Sequence, residues 1–122
     1  MPNIWQVYHV SNCRHTHPPK NKYVFIVCKD MDFMGFLVNS DLSNFILKRP
    51  DLLMCQVPLS ASDYGFLSHN SYLDCGQLYS FDDAVLVISI SNINTKTRSV
   101  IKTAVSKAKT IAPRYKGLIL GA

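Results

Sequence analysis

Lys22-Tyr-Val-Phe-Ile-Val-Cys-Lys29 is the stretch on which the fold turns. Its β-branched and aromatic residues run without a polar break between two lysines, so it reads as a strand buried on both faces. Downstream, Asp30-Met-Asp32 reads as a turn. Phe33 to Asn39 follows as another strand, weakened or bulged at Gly35 and close enough to form a hairpin with the first. Upstream, Ile4 to Val10 is rich in β-formers and reads as the opening strand. Ser11 to Asn21 has no periodicity, and Pro18-Pro19 forbids a helix there.

Further out, Ser40 to Pro50 fits one short helical turn sequence, with Lys48 and Arg49 near its C-terminal end. Leu52 to Leu59 reads as a strand whose end is marked by Pro58, and Phe66-Leu67, Ser71 to Leu78 and Val85 to Ile90 read as further short strands. The one well-patterned helix comes late. Val100, Ile101, Ala104, Val105, Ala108 and Ile111 follow helical spacing, Asn94 or Thr95 can cap the start, and Pro113 stops it. Lys116 to Ala122 reads as a last strand or a docked terminus. Many short strands and one closing helix argue against βαβ alternation. The expected fold is mainly β: one domain over residues 1–122, a small curved antiparallel sheet or partly closed barrel with a C-terminal amphipathic helix.

Composition sets limits on function. The 122 residues are 48% apolar and 17% charged, an ordinary globular balance for a single core. No run of about 18 apolar residues offers a membrane span, and the N-terminus lacks a secretory pattern, so a cytoplasmic protein with no membrane partner is expected. The four cysteines form no Cys-x-x-Cys pair and are expected as buried reduced thiols. Net charge is +5, all eight acids are aspartates, and Lys96 to Lys116 holds seven cations and no acid. Such a one-signed field favours polyanions, nucleic acid first among them.

The chemistry-bearing residues concentrate in Val57-Pro-Leu-Ser-Ala-Ser-Asp-Tyr-Gly-Phe-Leu-Ser-His-Asn-Ser-Tyr-Leu-Asp-Cys-Gly-Gln-Leu-Tyr-Ser-Phe-Asp82. Ser60, Ser62, Ser68 and Ser71 with His69 and Asp74 supply the parts of a hydrolytic triad, but without a Gly-x-Ser-x-Gly elbow. Cys13-x-His15-x-His17 puts zinc-type ligands on one face of an extended chain, yet lacks a fourth, so neither metal nor cofactor is expected. No glycine loop cradles a phosphate. For RNA the parts are better assembled: Lys20 and Lys22 flank the loop, and Tyr64, Tyr72 and Tyr79 offer stacking surfaces.

Taken in order, Lys22-Tyr-Val-Phe-Ile-Val-Cys28, Val57-Pro-Leu-Ser-Ala61, Ser71-Tyr-Leu-Asp-Cys-Gly-Gln-Leu-Tyr-Ser-Phe-Asp82 and the closing helix resemble the PemK/MazF-like toxins over most of the chain. The resemblance implies an SH3-like barrel, a homodimer, an antitoxin-like protein or peptide partner, and metal-independent cleavage of single-stranded RNA. The family's basic residue falls on Lys22, its strand-end threonine on Ser60, and its Cys-x-Gln pair on Cys75 and Gln77. Asp74 and Tyr79 stand where the family has arginines, and Gly76 where it has aspartate. A substitute catalytic set implied by this placement is Lys22, Ser60 and His69, with Lys20, His17, Ser71, Tyr72 and Gln77 binding RNA. The alternatives are a barrel that kept the fold without the chemistry and binds RNA or a protein, and an unrelated interaction module.

Overall fold

The computed structural model describes residues 2–122. Its strands are β1 (Gln6–Cys13), β2 (Lys20–Asp30), β3 (Asp32–Asn39), β4 (Gln56–Leu59), β5 (Ser71–Asp74), β6 (Tyr79–Phe81) and β7 (Ser89–Asn92). The helices are α1 (Asn44–Leu47), α2 (Pro50–Leu53), α3 (Thr95–Lys107) and α4 (Pro113–Leu120). All strand pairs are antiparallel, in the order β4-β5-β3-β2-β1-β7, with β6 also on β3. β3 divides its outer side: Phe33–Gly35 pair with β6, and Val38 and Asn39 with β5. That division curls the sheet into a half-barrel whose outer edges are β4 and β7.

The expected doubly buried strand is the centre of this arrangement. Val24 to Cys28 are all buried; Val24 to Val27 alternate between two cores, and Cys28, past a slip in register, joins the core of Val27. Phe25 and Val27 face the larger one, with Val7, Phe36, Leu73 and the helical residues Ile101, Val105 and Ile119. Val24 and Ile26 face the smaller one, with Leu37, Phe81 and Leu86. Helices α3 and α4 therefore cover one face of the sheet, and the β6-to-Leu86 segment covers part of the other. Asn94 caps α3, its side chain accepting from the Thr97 amide at 2.8 Å.

Gly35 stands at the bulge expected there, where the β2–β3 register slips between Ile26 and Cys28, and it also marks a close approach of the two backbones. A Cβ there would collide with the Phe25 carbonyl oxygen, in the middle of the β2–β3 ladder. Gly35→Ala is expected to destabilise the fold by about 1–3 kcal/mol. Urea titration followed by circular dichroism measures it, and an unchanged midpoint would show that the two strands part without cost.

Several segments differ from their sequence expectation. Pro50 and Pro113 start helices instead of ending them, because the first helical turn needs no proline N–H. Leu52 and Leu53 thus belong to α2, and β4 begins at Gln56. The tail is helical: Ile119 docks into the main core while Leu118 and Leu120 remain exposed. Phe66-Leu67 is loop. Ser71 to Leu78 breaks after Asp74, whose carboxylate accepts the Gly76 amide at 3.0 Å and turns the chain. Val85 to Ile90 is not one strand. Asp83–Val85 is a 3₁₀ turn, Leu86 alone of that run is buried, and β7 pairs with β1 from Ser89 on.

Candidate functional site

The site is built where β2, β3 and β5 end together. Val24 stands opposite Leu37, and one residue pair further along the same face Lys22 Nζ donates to Asn39 Oδ1 at 2.8 Å. Asn39 is paired with Tyr72, and Tyr72 with Pro58. Since strand side chains alternate between faces, Lys22, Asn39, Tyr72 and Asp74 share one face of the sheet. They lie beyond the part covered by Phe81 and Leu86. Lys22 is half-buried, and burial first, then the neighbouring Lys20 charge, lower its pKa from the usual lysine value. A partly desolvated ammonium held by an amide oxygen is a fixed cation, suited to meeting a phosphate.

The loop Ser60 to Asn70 brings His69 to the Lys22 end of β2. That loop is pinned from inside: the buried Tyr64 hydroxyl donates to Thr97 Oγ1 at 2.7 Å and accepts the Asn94 amide at 3.3 Å. Phe66 packs on Tyr23 with ring centres 4.7 Å apart. Ser71 Oγ donates to the His69 carbonyl at 3.0 Å, which holds the end of the loop. Lys22, Tyr23, Ser40, Phe66, His69 and Ser71 then line one open groove of about 260 Å³. The exposed His69 ring contacts Ser68 Oγ at 3.3 Å, and among the described residues no carboxylate bonds to it. The serine-hydrolase constellation is therefore not assembled, whereas a cation, an imidazole and a hydroxyl do surround one groove.

The other expected residues are spread around this centre. Ser60 lies in an adjoining groove of about 360 Å³ with Ser71, Tyr72, Asn70 and Lys96, its hydroxyl 2.6 Å from Ser62 Oγ. Ser71 borders both grooves. Lys20 opens β2 and is exposed, as is His17 in the loop before it. Gln77 lines a third and larger pocket with Asp74. No protein-family model and no curated protein matches the chain. Its function is therefore argued from these side chains.

Sequence reasoning passed over two contributors. Asn39 carries no motif signal; its role follows only from the β2–β3 register. His15, read as part of a metal-type triplet, instead donates through Nε2 to the Ser80 carbonyl at 2.8 Å and stacks on Tyr79, 4.5 Å between centres. It fastens the β1–β2 connection onto β6. Burial, then the Asp74 charge, raises the Tyr79 pKa, so its phenol stays protonated at neutral pH. Among the described residues no three His, Cys, Asp or Glu side chains gather as a metal site. The four cysteines are free and buried. Burial raises Cys75 well above the ordinary thiol value and Cys28 to about 11, which keeps both from acting as thiolates.

Proposed function

We propose that the chain is a PemK/MazF-like endoribonuclease that cuts single-stranded RNA with its own side chains. The observation that carries this reading is the half-buried Lys22, whose ammonium is fixed by Asn39 and which lines one groove with His69 and Ser71. In the proposed reaction His69 accepts the proton of a ribose 2′-hydroxyl. The 2′-oxygen then bonds to phosphorus, and the bond from phosphorus to the leaving 5′-oxygen breaks. Lys22 neutralises the developing phosphorane charge, and its lowered pKa makes it a better donor of the proton that the 5′-oxygen collects. The products carry a 2′,3′-cyclic phosphate and a 5′-hydroxyl. Ser60, Tyr72 and Lys96 in the adjoining groove hold the flanking strand, with Lys20 and His17 on the approach. Incubation of a mixed single-stranded RNA pool with the protein in excess chelator tests the reading. Cleavage supports it, and salt-dependent binding with no cleavage replaces it by a catalytically silent RNA-binding barrel.

The reading also includes a homodimer, supported by the β7 edge. Val87 and Ile88 are 76% and 71% exposed beside this unpaired strand edge. Residues 84 to 95 hold no charge, so two copies of net charge +5 meet there without direct opposition of like charges. Sedimentation is expected to find a dimer that Ile88→Lys converts to monomer. A wild-type monomer at 100 μM or so, well above ordinary specific dissociation constants, sinks this part. No helix among the described residues is long and apolar enough to cross a membrane.

A further inference from the structure

An aspartate is a liability on a surface that binds RNA, because it repels phosphate. Asp74 nevertheless shares the sheet face of Lys22, two residues along β5 from Tyr72 and so roughly 12 Å from Lys22 by strand geometry. It is the one charged side chain lining a pocket of about 570 Å³. Phe45, Ile46, Leu52 and Tyr115 form apolar and aromatic walls there, and Gln77 lies at the rim.

Asp74 is also held in place. Its Oδ1 accepts Gln56 Nε2 at 2.9 Å and the Gly76 amide at 3.0 Å. Gln56 keeps that orientation although its own Oε1 is left buried without a donor. Such an orphaned acceptor costs about 1–3 kcal/mol. Turning the amide over would place oxygen against carboxylate oxygen, so the Asp74 bond fixes the arrangement. Asp74 Oδ2 accepts no hydrogen bond from the described residues.

We propose that this pocket takes a guanine base of the RNA strand, with Asp74 as the residue that selects it. A carboxylate only accepts hydrogen bonds. Guanine presents two adjacent donors on its Watson–Crick edge, the N1–H and the N2 amino group. Adenine, cytosine and uracil each set an acceptor beside their donor, and that acceptor meets a carboxylate oxygen unfavourably. The aromatic walls supply the stacking that single-stranded recognition relies on. The separation from Lys22 suits a base a nucleotide or two from the cleaved phosphate.

This inference rests on the RNA reading, but its test needs no cleavage. Amide NMR spectra of the whole protein are titrated with GMP, AMP, CMP and UMP, none of which has a scissile internucleotide bond. The expected result is that GMP binds about 10-fold or more tighter than the other three, about the worth of one discriminating hydrogen bond, and moves the amides of Asp74, Gln77 and Tyr115. Asp74→Asn keeps an oxygen for the Gly76 amide and removes the guanine preference. Phe45→Ala, at an exposed ring, weakens all four nucleotides while leaving their ranking. Equal binding of the four, a preference that survives Asp74→Asn, or GMP affinity unchanged in Phe45→Ala overturns the assignment. Selective GMP binding by a protein that cuts no RNA would leave the pocket standing and remove only the nuclease.

Discussion

If the chain cuts RNA as proposed, replacing Lys22 by methionine is expected to lower the cleavage rate about 10²–10³-fold, the loss that follows when one preorganised charge donor is taken from an oxyanion-type site. The fold survives, because methionine keeps the apolar stem of the side chain and removes only the ammonium and its bond to Asn39. Lys22→Arg retains the charge without the same point geometry and recovers part of the rate. The pH dependence carries a sign that a merely structural lysine does not share. Burial and Lys20 lower the Lys22 pKa, so the cation is lost, and cleavage with it, as pH rises through a value below the ordinary 10.5. Stability moves the other way. The folded state disfavours the charged form, so below the lowered pKa the ammonium costs stability, and that cost disappears as pH rises from the lowered value to 10.5. Rate profiles and urea midpoints of wild type and Lys22→Met, taken across that window, check both signs. A Lys22→Met variant that cleaves at the wild-type rate places the chemistry elsewhere.

Phe25→Ala unfolds the protein at moderate temperature. The Phe25 ring is fully buried at the middle of β2, packed in the main core with Phe36, Leu73 and Ile101, and edge-on to Tyr64 at 5.5 Å between ring centres. Deleting it removes the transfer free energy of a large aromatic side chain and leaves a cavity, about 3–5 kcal/mol together. A domain of this length has about 5–15 kcal/mol in all. The loss also reaches the site, because Tyr64 anchors the loop that carries His69. Thermal melting of Phe25→Ala is expected about 10 °C or more below wild type, taking a shift of several degrees per kcal/mol. A melting temperature within a few degrees of wild type would mean that β2 is not the centre of the fold.

The parts of the fold that were legible in the sequence are those in which one chemical pattern runs unbroken. Val24 to Cys28 has no charged or amide side chain to place at a surface, and its burial on both faces follows. The α3 stripe of Ile101, Ala104 and Val105 with its Asn94 cap is similarly direct. The misread segments are those in which local pattern and tertiary pairing compete. Val87, Ile88 and Ile90 have the composition of a buried strand, yet Val87 and Ile88 precede β7 unpaired, Ile90 lies on that edge strand, and all three are exposed. Pro50 and Pro113 mark a helix boundary in either direction, and sequence alone does not say which side is helical.

The candidate site was legible in part for a related reason. Lys22 and the neighbouring pair His69 and Ser71 come from two distant segments of the sequence, and they line one groove. Ser60 and Gln77 line two other pockets, because Ser60 follows the end of β4 while Gln77 follows the turn after β5. Asn39 stayed invisible, since only the pairing of β3 with β2 and β5 brings its amide beside the Lys22 ammonium. Asp74, which the sequence offers as a triad carboxylate and as a departure from the toxin pattern, is held in the large pocket by two hydrogen bonds to one of its oxygens.

The most direct test of the account is end-group analysis of single-stranded RNA incubated with the purified protein in excess chelator. The account predicts fragments ending in 2′,3′-cyclic phosphate and beginning with 5′-hydroxyl, formed by wild type and not by Lys22→Met. Intact RNA, or fragments with 5′-phosphate ends, would contradict it.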